Sequence, residues 1–187
     1  MAYQTKAWYD DVFISVTPIA GSEVNLCSKT TSMSISGGGF DIEGIETFCG
    51  KVTRVGSRDD IELSFDGIPV SNQDVDWIFH GTAQTGSTIT SSSITKHRVT
   101  LLWTNQTGVT SAAQAISTTS EAYRRIYAES YCTNVEQNMD AGEQLTFTMN
   151  FKLSPEDADG AQNYKIEACD TSSALIAVPS YTTTTKF

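Results

Sequence analysis

A chain of 187 residues with 22 acidic and 12 basic side chains carries a formal charge of −10 and a sequence pI near 4.5. That balance argues against a general nucleic-acid binder, which needs clustered Lys and Arg facing phosphate, and no apolar run approaches the roughly 20 residues of a membrane-spanning helix. The length suits a single domain, taken as residues 1–187, able to bury a core without metal or disulfide.

Residues 1–10, with Trp8 and Tyr9, read as a flexible N-terminal arm. The opening MAYQTKAWYDDVF has neither the basic nor the apolar region of a signal peptide, so secretion is not expected. Asp11 to Thr17 alternates, with Val12, Ile14 and Val16 on one face, and Pro18 stops the strand. Gly21 to Lys29 reads as a loop. Met33 and Ile35 then alternate over Thr31–Ser36, ahead of Gly37, Gly38 and Gly39.

Phe40 to Val55 reads as one long strand whose apolar parity flips at Gly44, the mark of a bulge. A turn at Gly56–Asp59 leads into Asp60–Gly67, with Ile61, Leu63 and Phe65 inward and Asp60, Glu62, Ser64 and Asp66 outward. These two segments are expected to form a first hairpin. Ser71 can cap a short helix over Asn72–His80, with Val75, Ile78 and Phe79 on one face. The Ser/Thr-rich loop 82–95 has no periodicity and is long for an idle connection.

Lys96–Thr104 reads as a strand, and Asn105–Ser120 as a looser stretch with room for a helical turn over Ser111–Ile116. Tyr123–Glu136 alternates, turns at Asn138–Gly142, and returns with Leu145, Phe147, Met149, Phe151 and Leu153 on one face. This is the second hairpin. After the acidic turn Pro155–Gly160, Tyr164–Cys169 and Ala174–Val178 read as short closing strands, and 179–187 as a polar C-terminal tail. Ser and Thr make up about a quarter of the chain, which suits half-exposed strands and turns. The fold class is all-β: a β-sandwich or partly open barrel with two long hairpins and one short α-helix.

Catalytic, cofactor and metal sites are not expected. Cys27, Cys49, Cys132 and Cys169 form no CxxC pair, and His80 and His97 have no ligand spacing, so the thiols read as small reduced hydrophobes. The glycine run 37–39 leads into a strand rather than a helix, which is wrong for a phosphate cradle. Glu156-Asp157-Ala158-Asp159-Gly160 could gather carboxylates for calcium but lacks the spacing of an EF-hand loop, and a solvated turn accounts for it. No motif supports Cys132 as a nucleophile. What remains is an acidic-to-neutral strand surface built from Asp41, Glu43, Asp60, Glu62 and Asp66. Such a wall offers a passing polyanion no cationic anchor, and its repulsion reaches only about 8 Å at physiological salt.

The segments GGGFDIEGIETFCGKVTRVGSRDDIELSFDGIPVSNQDVDWIFHG and YRRIYAESYCTNVEQNMDAGEQLTFTMNFKLSPEDADG resemble the tail tube (major tail) proteins of long-tailed bacterial or archaeal viruses. The resemblance covers about residues 33–80 and 120–170. It implies hexameric rings of identical copies stacked into a hollow tube, other tail proteins at the tube ends, and double-stranded DNA passing through without adhering. It also implies a place in the virion tail, with assembly in the host cytoplasm and no membrane binding. On that resemblance Asp41, Glu43, Asp60, Glu62 and Asp66 would face the lumen, while Thr82, Gly86, Ser91 and Thr95, the arm and the tail would touch neighbouring rings. Ring closure would also pair strand edges that otherwise invite aggregation. The alternative is a non-catalytic binding or adhesion module using Trp8, Tyr123, Tyr127 and Tyr131 as exposed aromatics. The tube of a contractile injection apparatus fits the same residues.

Overall fold

The computed structural model describes residues 11–26, 30–47, 50–68, 95–157, 159–169 and 173–182. Among them are ten strands: β1 (Asp11–Pro18), β2 (Val24–Asn25), β3 (Thr30–Gly37), β4 (Phe40–Thr47), β5 (Gly50–Arg58), β6 (Ile61–Gly67), β7 (Lys96–Thr104), β8 (Ala122–Asn138), β9 (Thr146–Leu153) and β10 (Tyr164–Cys169). The helix expected over Asn72–His80 lies outside the described residues, and no helix occurs among those described.

Eight strands form one antiparallel sheet in the order β2-β1-β7-β8-β9-β6-β3, with β10 also on β8. The 17-residue β8 organises it. The first half of β8 pairs with β7 (Thr104↔Ala122 to Lys96↔Tyr131) and with β10 (Cys169↔Ala122 to Tyr164↔Tyr127). Its second half pairs with β9 from Tyr131↔Lys152 to Asn138↔Thr146, the hairpin expected from sequence. A register shift between Cys132 and Asn134 marks a bulge where the strand passes from one set of neighbours to the other. The β1–β7 and β6–β9 layers thereby face each other across one core.

That core is made by the alternating positions. On β6 and β9, Ile61, Leu63, Phe65, Phe147, Met149, Phe151 and Leu153 are all buried, and they meet Ile14, Val16, Val99, Leu101 and Tyr127 from the other layer. Phe65 and Phe151 meet edge to face at 5.8 Å between centroids, a favoured aromatic geometry. The first layer is covered on its outer side as well. Leu102, Ala122 and Cys169 pack there against Val109, Ala112, Ile116 and Leu175 from the 105–120 and 173–178 segments. β7 is therefore buried on both faces, which is why its residues do not alternate cleanly in polarity.

Four expectations are corrected. Phe40–Val55 is not one strand paired with 60–67: it folds back as β4–β5, a two-stranded ribbon apart from the main sheet, while β6 pairs with β3 and β9. The irregularity lies between Phe40 and Ile42, not at Gly44, which pairs regularly with Thr53. Within the Gly21–Lys29 loop, Val24 and Asn25 pair with β1 as β2. Ala174–Val178 contributes a single bridge, Ile116↔Leu175, rather than a strand, and Ser111–Ile116 holds one turn closed by Gln114 N–H to the Ser111 carbonyl at 3.2 Å.

Candidate assembly surface

The solvent side of the β3–β6–β9 layer carries three of the five acidic residues singled out above. Asp66 accepts hydrogen bonds from Ser32 Oγ at 2.5 Å and Thr148 Oγ1 at 2.7 Å, one from each flanking strand. Those two bonds hold its carboxyl below the usual carboxylate range. Lys152, opposite Glu62 in the β6–β9 register, reaches Glu62 at 3.2 Å and Asp60 at 3.4 Å. One ammonium thus offsets part of the acidic row, and its pKa is raised by the bonds to Glu62 and Asp60. These pairs are solvent-exposed and contribute little to stability. Between them lies a shallow groove of about 230 Å³ walled by Ser34, Ser36, Ser64, Thr133, Asn150 and Lys152. The face is one of hydroxyls, amides and partly compensated carboxylates.

Asp41 and Glu43 are not brought to this face. They sit exposed on the β4–β5 ribbon, where Glu43 lies opposite Arg54. Of the proposed stacking loop, Thr95 lies just ahead of β7 and is half-buried; Thr82, Gly86 and Ser91 fall outside the described residues, as do residues 1–10, Cys27 and Cys49.

The ribbon itself is the most unusual surface. Phe40, Ile42 and Val55 lie on one of its faces at 55%, 66% and 61% exposure, and Val52 on the other at 55%. An isolated two-stranded hairpin is marginal in water, and clustered apolar side chains on one signal a partner. Its root is braced by backbone bonds from Gly38 N–H to the Asp59 carbonyl at 3.1 Å and from Asp59 N–H to the Gly39 carbonyl at 2.8 Å. Gly37, at φ +83°, is required at that neck, since a Cβ there would stand 1.8 Å from the Asp60 carbonyl oxygen.

On the opposite layer, two buried arginines hold the C-terminal segment down. Arg124, 1% exposed, donates to Glu167 Oε2 through Nε at 2.8 Å and Nη2 at 2.5 Å, and to the carbonyls of Gln114 and Ile176 at 3.1 and 2.7 Å. Burial alone would raise the Glu167 pKa; hydrogen bonds from Lys165 and Arg124 overcome this and hold it below the ordinary value. Arg98 donates to the Pro179 carbonyl at 2.6 Å and lies 5.5 Å from the Tyr181 ring centroid. Of the expected tail, then, residues 179–181 are tied to the body, with Tyr181 buried.

Burial pushes the Cys132 thiol up to about 12, so at neutral pH it is not a nucleophile. Among the described residues no group of three His, Cys, Asp or Glu could hold a metal ion. Of the aromatics named for the adhesion reading, Tyr127 is buried, Tyr123 packs against Trp103 at 5.6 Å with Arg125 over its face, Tyr131 is exposed, and Trp8 lies outside the described residues. The ribbon and the buried arginines were not anticipated from sequence. The ribbon left only a weak sign there: the apolar spacing within Phe40–Thr47 and Gly50–Arg58 is three residues (Ile42 to Ile45, Val52 to Val55), with no sustained alternation to fix a face.

No family model matches the chain, and no curated protein matches it in sequence. Among solved structures it is similar to the tube-terminating cap of the anti-feeding prophage, with a TM-score of 0.53 and 14% identity over 90% of this chain and 94% of that one. It is similar also to the sheath/tube terminator of an extracellular contractile injection system, PVC, in its extended state: TM-score 0.51 and 12% identity over 89% and 97% of the two chains. At such identities the likeness is one of fold, and it spans nearly the whole of each partner.

Proposed function

We propose that this chain is a non-enzymatic structural subunit of a phage-tail-like particle, closing into rings of identical copies, six to a ring, that stack into a hollow tube. The observation that supports this most is the β4–β5 ribbon, an apolar arm that the subunit leaves uncovered, on a fold shared with proteins named for the ends of such tubes. The β3 edge, bonded only to β6 among the described strands, leaves a second margin for a neighbouring copy. In this reading Asp60, Glu62 and Asp66 face the bore, where hydroxyls and paired carboxylates let double-stranded DNA pass without adhering. Asp41 and Glu43 ride on the ribbon instead, at contacts between subunits.

A second reading, a ring that terminates the tube, is favoured by the two similar structures described above, one a tube-terminating cap and one a sheath/tube terminator. Electron microscopy of the purified protein over a concentration series separates the two. Filaments of stacked rings support the repeating subunit, single rings that do not grow support the terminator, and monomers at every concentration would refute both.

A further inference from the structure

Arg58 ends β5 where the ribbon rejoins the body, and its side chain is only 17% exposed. Every guanidinium nitrogen has a partner. Nε donates to the Gly38 carbonyl at 3.3 Å, Nη2 to the Tyr164 hydroxyl at 2.6 Å, and Nη1 to Gln162 Oε1 at 3.1 Å and Glu156 Oε1 at 3.5 Å. The group also lies 5.0 Å from the centroid of the Phe40 ring and 5.3 Å from that of Tyr164. Gly38 and Phe40 belong to the start of the ribbon, Arg58 to its end, Glu156 to the acidic turn, Gln162 to the residues that follow it, and Tyr164 is the first residue of β10. One side chain therefore ties both roots of the ribbon to a stretch of chain about 100 residues further on.

From these contacts we infer that Arg58 is a positioning residue: a clamp that fixes the angle at which the ribbon leaves the body, so that a neighbouring subunit meets a preformed arm. The inference rests on the ring-subunit reading for its consequence in assembly, but not for its effect on the ribbon. A two-stranded arm has no core of its own to orient it. Holding it in place before association removes part of the ordering cost of binding. A planar five-donor fork can bridge several acceptors while stacking between two rings; a lysine ammonium on a flexible stem cannot.

The test uses the full-length protein and its Arg58→Ala and Arg58→Lys variants, read by the critical concentration for assembly and by amide hydrogen exchange. Both variants should raise the critical concentration about tenfold, which is about 1.4 kcal/mol per added subunit. Exchange within 40–58 should quicken by a similar factor while amides of β6, β8 and β9 keep their protection. Wild-type ribbon exchange in either variant, together with an unchanged critical concentration, would overturn the clamp. So would a uniform loss of protection through β6, β8 and β9, which would assign Arg58 a general structural role. Tyr164→Phe, which removes only the hydroxyl at 2.6 Å, is the milder variant and must loosen the ribbon before the core. If the wild type forms no rings at any concentration, the ring-subunit reading fails, and the ribbon exchange still decides the clamp.

Discussion

Replacing Glu167 with Gln tests the most deeply buried ion pair among the described residues. The carboxylate is 14% exposed and its Arg124 partner 1%, with two charge-assisted bonds to a single oxygen. Removing one member of a buried pair costs about 3–5 kcal/mol, because the remaining charge is stranded. Here the amide keeps an acceptor oxygen and Arg124 keeps the carbonyls of Gln114 and Ile176, so the lower end, about 3 kcal/mol, is expected. In urea, with a slope of about 2 kcal/mol/M, the midpoint should fall by about 1.5 M at unchanged slope. The pH dependence carries a sign. Glu167 has a depressed folded pKa, so its contribution is complete above the unfolded value of 4.5 and fades as pH falls through the lower folded one. The deficit of Glu167→Gln should therefore be full at pH 7 and shrink on acidification below pH 4.5. A midpoint shift under about 0.3 M at pH 7, or a deficit that grows in acid, would refute the reasoning.

The remaining expectations probe other parts of the molecule. Gly37→Ala should destabilise by about 1–3 kcal/mol, since it places a side chain at positive φ against the Asp60 carbonyl, and should loosen the ribbon root; urea denaturation with amide exchange measures both. Phe65→Ala should cost about 3–5 kcal/mol by opening a cavity against Phe151, with chemical denaturation as the check. Cys132 should resist iodoacetamide in the native state at pH 8 and react only on unfolding, as followed by mass mapping of its peptide. If the proposed tube carries DNA, reversing Asp60, Glu62 and Asp66 together to Lys should leave the fold intact and slow the passage of DNA or trap it; passage at the wild-type rate would remove these residues from the proposed bore.

Legibility in the sequence followed the number of faces a strand buries. β6 and β9 bury one face and expose the other, so Ile61, Leu63 and Phe65, and likewise Phe147, Met149 and Phe151, could be assigned inward from alternation alone. β1 and β7 are covered on both sides, and there Ser15, Thr17, Arg98 and Thr100 are buried although their polarity pointed to solvent. The ribbon was misassigned for a related reason. With neither face packed on a core, its apolar residues fix no register against the sheet, and the break at residues 48–49 lacked the short glycine turn that signals a hairpin. The acidic row on β6 was legible, but its counter-charge was not, because Lys152 lies 90 positions away from Glu62 and only the β6–β9 register unites them. Arg58 and Arg124 were silent for the same reason: each gathers partners distant in sequence.

The length of β8 has a mechanical consequence. One continuous strand is stitched to β7 and β10 at one end and to β9 at the other, so both layers hang from a common beam. Pulling the layers apart would load many hydrogen bonds in shear together, rather than peeling them one after another. A cylinder assembled from such units would carry a thrust along its axis with little give inside each unit, and its bending would be confined to the joints between them.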